Sequence, residues 1–310
     1  MAGTDIHLIN TQTPVQSIDE PLFQSLSIRL SIKREDLNDK EIQGNKWLKL
    51  KSNLEQARQQ GYKSLLTFGG CYSNHIYATA AAGRRFGFNT IGIIRGPEPK
   101  QLSPTLNFAL QAGMQLHFLN RLEYRNIHDT KVQQRIIEPF LPAYIIPEGG
   151  SNQLAVNSCA DYASTLPAEY DVISCACGTG GTLAGLIKGS DSSKSLLGIP
   201  VLKGAEFLFE DISNFLKTDI STDKSNNWTL NTNYHFGGYA KSSAELEDFI
   251  VAFYHSHGIK LEPVYTGKMM YALYDLIKKG YFEKNSRILA IHSGGIQGLD
   301  GFPELKKRLE

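Results

Sequence analysis

The stretch "DVISCACGTGGTLAGLI", residues 171–187, decides the fold. Its first half is a short apolar run of the kind that makes a strand buried on both faces. Its second half is apolar at helical spacing. Between them stand Gly178, Thr179, Gly180, Gly181 and Thr182. A strand that passes through a glycine-rich turn into a helix is one step of a βαβα chain, and that rhythm builds open parallel sheets. The same turn offers free backbone N–H groups and two hydroxyls at the positive end of a helix dipole, which makes a phosphate cradle. A bare strand–helix turn is the simpler alternative, but turns rarely call for three glycines and two threonines in five positions. Leu183 stands where a dinucleotide fingerprint needs a small residue, and no acidic residue follows at the next strand end. No lysine follows the last glycine, so the P-loop pattern also fails. An isolated phosphate monoester fits better.

The rhythm extends in both directions. Residues 64–68, 90–96, 115–119, 143–148, 171–178 and 287–295 read as buried strands. Residues 45–60, 74–86, 103–112, 151–164, 180–188, 242–257 and 267–279 read as helices, with Gly61 and Gly87 as stops. The expected fold class is α/β: two open, mostly parallel twisted sheets with flanking helices. Ligands of such sheets bind at the carboxyl ends of the strands. The polar stretch 218–236 is expected to be a surface excursion.

Composition narrows the function classes. In 310 residues, 41% are hydrophobic and 20% charged, as in a globular chain rather than a disordered one. A formal net charge of +1 gives no bulk attraction to nucleic acid or to an anionic membrane. No apolar run approaches the roughly 20 residues of a spanning helix, and "MAGTDIHLINTQTP" has no basic region followed by an apolar core. Cys71, Cys159, Cys175 and Cys177 match neither a disulfide scaffold nor a metal site, which makes a reducing cytoplasm the expected location and no metal the expected requirement.

Four other stretches could carry chemistry. In "EIQGNKWLKL" (41–50), Lys46 stands at a helix start, the unfavourable end of the dipole for a cation. Something should offset that cost. In "TFGGCYSNHIYATAAAGRRFG" (67–87), Ser73 and Asn74 open a helix behind two glycines. They read either as a simple N-cap or as a carboxylate site, and His75 beside them as a base or as a structural residue. "LAIHSGG" (289–295) ends a strand with Ser293 and two glycines, an edge turn or a slot where a flat ring meets backbone. In "LEPVYTGKMMYALYDLI" (261–277), Tyr265 is placed at a strand–helix corner, where a tyrosine packs or, if its pKa falls, transfers protons. Tyr239 in "HFGGYAK" raises the same question. Phosphate, flat ring, lysine and carboxylate site together suit pyridoxal phosphate with an amino-acid substrate.

The motifs "GNKWLKL", "SNH", "GTGGTLAGL", "PVYTGK" and "HSGG", in this order, resemble the D-cysteine desulfhydrase/1-aminocyclopropane-1-carboxylate deaminase family, within the tryptophan-synthase-β-like (fold type II) class of pyridoxal phosphate enzymes. The resemblance spans about residues 30–300. It implies a large domain (1–47 plus 158–310) and a small domain (48–157) with the cofactor in the cleft between them, in a homodimer. It implies Lys46 as the Schiff-base lysine, Lys49 on the phosphate, and Gly178, Thr179, Gly180, Gly181 and Thr182 as the phosphate loop. It implies Ser73 and Asn74 on the substrate carboxylate and the cofactor hydroxyl, with His75 beside them. Ser293 would face the pyridine nitrogen, and Tyr265 and Tyr239 the substrate. Lys46, Ser73 and Tyr265 would be the catalytic set. Two positions depart from the family pattern: Leu48 replaces the usual basic residue, and Thr266 replaces the glutamate of deaminases. The second favours the desulfhydrase branch, with D-cysteine giving pyruvate, hydrogen sulfide and ammonia. The alternatives are a deaminase of 1-aminocyclopropane-1-carboxylate giving 2-oxobutanoate and ammonia, a broader lyase of D-serine or β-chloro-D-alanine, a non-catalytic carrier or sensor of pyridoxal phosphate, and a nucleotide-binding regulator.

Overall fold

The computed structural model describes residue 9 and residues 12–217 and 227–310. Ten strands run through these residues: β1 (Val15–Ile18), β2 (Arg29–Lys33), β3 (Ser64–Gly70), β4 (Asn89–Arg95), β5 (Met114–Leu119), β6 (Tyr144–Ile146), β7 (Val172–Cys177), β8 (Ser195–Pro200), β9 (Trp228–Leu230) and β10 (Arg287–Ile291). The α-helices are α1 (Pro21–Ser25), α2 (Asn45–Gln59), α3 (Asn74–Phe86), α4 (Pro104–Gln111), α5 (Arg121–Arg125), α6 (Thr130–Ile137), α7 (Gln153–Ala163), α8 (Gly181–Gly189), α9 (Leu208–Leu216), α10 (Ala244–His257), α11 (Thr266–Lys278) and α12 (Pro303–Lys307).

The strands form two sheets. One has the order β1-β2-β10-β7-β8-β9 and the other β5-β4-β3-β6. Every pairing is parallel except β1 with β2. The expected α/β class with open, mostly parallel sheets is therefore present. Parallel strands need both faces covered, and β7 shows why its residues are apolar throughout: five of six are buried. Helices on both faces supply the cover. One core cluster of the larger sheet joins Ile32, Ile288 and Ala290 to Met269, Met270 and Leu273 of α11. The opposite face packs Cys175, Cys177 and Leu289 against Val156, Cys159 and Leu183 of α7 and α8. The smaller sheet has its own clusters, around Trp47, Leu65 and Phe86 on one side and Ile91, Ile93 and Tyr124 on the other.

Two sequence expectations change. The stretch 218–236 is not an excursion throughout. Residues 218–226 lie outside the described residues, but Trp228–Leu230 is strand β9, paired in parallel with β8 and carrying a buried Trp228. Residues 261–265 are not a strand leading into α11 but a turn. Buried Glu262 organises it, accepting from the N–H groups of Val264 (2.7 Å), Tyr265 (2.8 Å) and Thr266 (2.7 Å). A carboxylate at a helix start meets the positive dipole end and the orphan donors there. No helix among the described residues is long and apolar enough to cross a membrane.

Candidate active site

A cavity of about 500 Å³ lies where the carboxyl ends of strands from both sheets converge. Residues from separate strand ends line it. Lys46 and Lys49 come from α2, Ser73 from the loop after β3, Asn74 and His75 from the first turn of α3, Gly178, Thr179 and Gly180 from the loop after β7, Thr182 from the first turn of α8, Ser293 from just after β10, and Tyr239 and Tyr265 from the loops before α10 and α11. Gly181 begins α8 directly behind that lining.

Lys46 is the second residue of α2, after Gly44 and Asn45. Gly44 holds φ at +58° and ψ at −135°, and its backbone lies against the Ser293–Gly294 peptide. Asn45 N–H donates to the Ser293 carbonyl at 3.3 Å, which ties the helix start to the end of β10. Gln43 adds a second tie, its Oε1 accepting from Gly295 N (3.0 Å) and Ile296 N (3.1 Å). The Lys46 ammonium donates to Asn45 Oδ1 at 3.0 Å and lies 5.9 Å from the centre of the Tyr265 ring. Burial and the neighbouring Lys49 push its pKa down to about 7. The expected cost of a cation at a helix start is thus relieved in the protein itself, because much of this amine is neutral near physiological pH.

Lys49 lies one turn further on and is buried. Its Nζ donates to Gly149 O (3.1 Å), Ser151 Oγ (2.8 Å) and Thr179 Oγ1 (3.3 Å). Burial lowers its pKa as well. Its ammonium therefore stands over the glycine-rich loop. A Cβ on Gly181 would stand 2.6 Å from Ser151 Oγ and 3.5 Å from Lys49 Nζ, so only glycine leaves this floor open. Asn45 Nδ2 donates to Thr182 Oγ1 at 2.9 Å and joins the same group. First-turn amides of α8, hydroxyls and one ammonium in one concavity are the donor set that a dianion such as a phosphate could use.

Ser73 is the N-cap of α3, its Oγ accepting from Ile76 N at 3.3 Å. It also lines the cavity, so the N-cap role does not remove it from the site. Asn74 Oδ1 accepts from Gln297 Nε2 at 3.1 Å. His75 is buried, and its Nε2 lies 2.7 Å from Thr67 Oγ1. The Thr67 hydroxyl gives its one proton to the Ile146 carbonyl at 2.8 Å, so His75 Nε2 is the donor of the pair and Nδ1 is a bare acceptor. Burial and the two lysines push the His75 pKa well below its ordinary value. It is a neutral imidazole fixed from behind.

Tyr265 and Tyr239 meet edge to face at 6.1 Å. Burial and the Tyr239 ring push the Tyr265 pKa up, not down. The phenol keeps its proton and can give one, but does not act as a resting base. Tyr239 is brought here by a device with no signature in the sequence. Buried Lys268 donates to the carbonyls of His235 and Gly238, both at 2.8 Å, and so pins the loop that carries Tyr239 to α11, the helix that follows Tyr265. Thr266 turns away from the cavity, its hydroxyl 3.2 Å from Glu262 Oε1. Leu48, where the family pattern expects a basic residue, is buried in the core beneath α7 and α8.

Sequence reasoning passed over Arg95, Glu148, Ser151 and Gln297, which also line the cavity or support it. They lie on strand ends and turns with no local motif. Only the strand register brings Arg95 opposite Gly70.

Comparison with known proteins agrees with this geometry. The sequence profile described as "Pyridoxal-phosphate dependent enzyme" matches residues 6–294. A Pyrococcus abyssi protein provisionally named 1-aminocyclopropane-1-carboxylate deaminase is 30% identical, covering 96% of this chain and 94% of its own. The D-cysteine desulfhydrase of Klebsiella pneumoniae is 28% identical, covering 95% and 94%. The crystal structure of a 1-aminocyclopropane-1-carboxylate deaminase homologue superposes with a TM-score of 0.78 at 28% identity, over 98% of this chain and 95% of that one.

Proposed function

This chain belongs to the family of pyridoxal-phosphate dependent enzymes, and from that premise we propose that it eliminates the β-substituent of a small amino acid, D-cysteine above all, giving pyruvate, hydrogen sulfide and ammonia. The observation that carries the reading is the convergence of Lys46, Lys49, Ser73, Asn74, Tyr265, Ser293 and the loop 178–182 on one cavity. We propose further that the cleft divides a large domain (1–47 and 158–310) from a small one (48–157), and that the protein works as a homodimer.

The donor set suits the cofactor. Lys46, with its lowered pKa, would hold the aldehyde carbon. The amides of residues 178–182, their hydroxyls and Lys49 would hold the phosphate, and Asn74 the ring hydroxyl. Ser293 would meet the ring nitrogen, and a hydroxyl does not hold that nitrogen protonated as a carboxylate would. Bound there, the cofactor supplies an electron sink for the pair left on Cα when its proton is removed.

The chain's own residues do the rest. Ser73 and Asn74 bind the substrate carboxylate at the start of α3. Lys46 Nζ takes the Cα proton, which its pKa near 7 permits. Tyr265, which holds its proton, gives it toward the departing sulfur. Replacing Tyr265 by Phe should lower kcat by about 10²-fold while KM moves by less than about 3-fold. Steady-state kinetics with D-cysteine check this, and an unchanged kcat would return Tyr265 to packing.

Thr266 supports the desulfhydrase branch, since it places no carboxylate beside the cavity and bonds to Glu262 instead. The second reading, deamination of 1-aminocyclopropane-1-carboxylate, rests on the name of the Pyrococcus relative.

The deciding experiment is the visible spectrum of the purified, cofactor-supplied protein before and after D-cysteine, with sulfide measured in parallel. A shifting band with sulfide release supports the desulfhydrase. A band indifferent to D-cysteine that responds to 1-aminocyclopropane-1-carboxylate, with 2-oxobutanoate formed, supports the deaminase.

The pH dependence of loading follows from Lys46. Only the neutral amine attacks an aldehyde, and its fraction rises as pH rises through about 7. Uptake of pyridoxal phosphate by the apo-protein should accelerate from about pH 6 to about pH 8 and then level off, rather than climb toward the ordinary lysine range near 10.4. Stopped-flow absorbance reads this directly, and a midpoint near 10 would contradict the buried environment of Lys46.

A further inference from the structure

We propose that Arg95 is the contact for the substrate's side chain and that it favours a small amino acid whose β-substituent is an anion or becomes one as it leaves; this rests on the reading of the cavity given above. Arg95 ends β4 directly opposite Gly70 at the end of β3. Its guanidinium lies over the Tyr124 ring, 5.7 Å from the ring centre. The Tyr124 hydroxyl donates to Glu148 Oε1 at 2.9 Å, which fixes the platform under the arginine. A Cβ on residue 70 would stand 3.2 Å from Arg95 Nη2, so glycine there keeps the approach to the guanidinium open.

The charge is unspent. Arg34, Arg84, Arg85, Arg287 and Arg308 each sit in an ion pair. Among the described residues, Arg95 has the Tyr124 ring and no hydrogen-bond or ion-pair acceptor, although Glu148 lines the same cavity. Arg95 is exposed at the cavity wall and free of acceptors among the described residues, so its guanidinium is open to an anion, and its fork matches a carboxylate or phosphate with two parallel hydrogen bonds.

Its position suits a side chain rather than the cofactor phosphate. The phosphate cradle is on the β7 side, built from the 178–182 loop and Lys49. Arg95 instead adjoins the loop of Ser73, whose N–H donates to Gly70 O at 3.0 Å. The arginine and the proposed carboxylate contact thus flank the two ends of one tight turn. In the elimination the Cα proton goes to Lys46 and the Cα–H electron pair becomes the Cα–Cβ double bond. The β-substituent leaves with its own bonding pair, next to Arg95; a departing thiolate then takes the Tyr265 proton, and no oxidant or reductant is needed.

The test is calorimetric binding of O-phospho-D-serine and of D-serine to the full-length, cofactor-loaded protein, as wild type, Arg95→Met and Arg95→Lys. The wild type should bind the phosphorylated ligand about 30-fold more tightly, the weight of one charge-assisted bidentate pair. The preference should shrink to within about 3-fold in Arg95→Met and be intermediate in Arg95→Lys, which keeps the charge but loses the fork. A wild type without preference overturns the proposal, whether or not a variant folds. So does an Arg95→Met protein that keeps the wild-type ratio, or one that weakens both ligands equally and so assigns Arg95 to the carboxylate they share. Sulfide release from D-cysteine is scored separately. Sulfide without charge preference defeats this inference alone, whereas charge preference without sulfide supports it and defeats the desulfhydrase reading.

Discussion

Replacing Lys46 by alanine should abolish turnover, with a loss on the order of 10⁴-fold or more, because in the proposed mechanism one atom both holds the cofactor and receives the Cα proton. The visible band of the lysine-linked cofactor should vanish with it. A fold defect is easily told apart. Lys46 Nζ is desolvated and close to a second buried ammonium, that of Lys49. Its hydrogen bond goes only to the adjacent Asn45. Removing it relieves repulsion and leaves no buried group unpaired except Asn45 Oδ1, which faces the cavity. The apo variant should therefore melt no lower than the apo wild type. Appreciable turnover in Lys46→Ala, measured as pyruvate formed, would remove Lys46 from the chemistry.

Gly44→Ala should be among the most damaging substitutions outside the reacting groups. A Cβ at residue 44 would stand 1.9 Å from the Ser293 carbonyl oxygen, 2.2 Å from its carbon and 2.7 Å from Gly294 N. All three are backbone atoms, so no side chain can swing aside. The positive φ adds strain of its own. The helix start and the end of β10 must separate, and with them Lys46 and Ser293. We expect a stability loss of about 3 kcal/mol or more, in the range of strain combined with core overpacking, together with loss of cofactor binding. Urea denaturation of the apo-protein measures the first and absorbance the second. A loss below about 1 kcal/mol would mean that the two backbones do not approach as described.

These two positions bracket how much of the protein could be read from its sequence. Lys46, Ser73, Tyr265, Ser293 and the 178–182 loop were legible because each lies in a local pattern of glycine, hydroxyl or helix start at a strand end. β3, β4, β7 and β10 were legible because they are apolar runs bounded by turn residues. β2 was not, because its buried Leu30 and Ile32 alternate with polar residues instead of forming a continuous apolar run, and its end is buried through polar partners: Lys33 donates to the carbonyl and hydroxyl of Thr13 and lies 3.5 Å from Glu35. β9 was hidden by its length of three residues inside a polar stretch. Arg95, Lys268 and Glu262 act through contacts made by register and tertiary packing, which no window of sequence displays. The proton state of Tyr265 was equally invisible, since it depends on burial and on Tyr239.

The order of strands has a bearing on biosynthesis. β3 to β6 are contiguous in the chain, so the smaller sheet can close while the remainder is still being made. The larger sheet cannot, because β2 takes its place beside β10, which follows it in the chain only after all the strands of the smaller sheet. The helix start that carries Lys46 is held by the Ser293 carbonyl after β10, which accepts from Asn45 N–H. A nascent chain therefore carries Lys46 without the buried surroundings that lower its pKa until β10 and the segment after it have been made. The setting of this amine is thus a product of strands far apart in sequence, and synthesis of the second of them is the step that completes it.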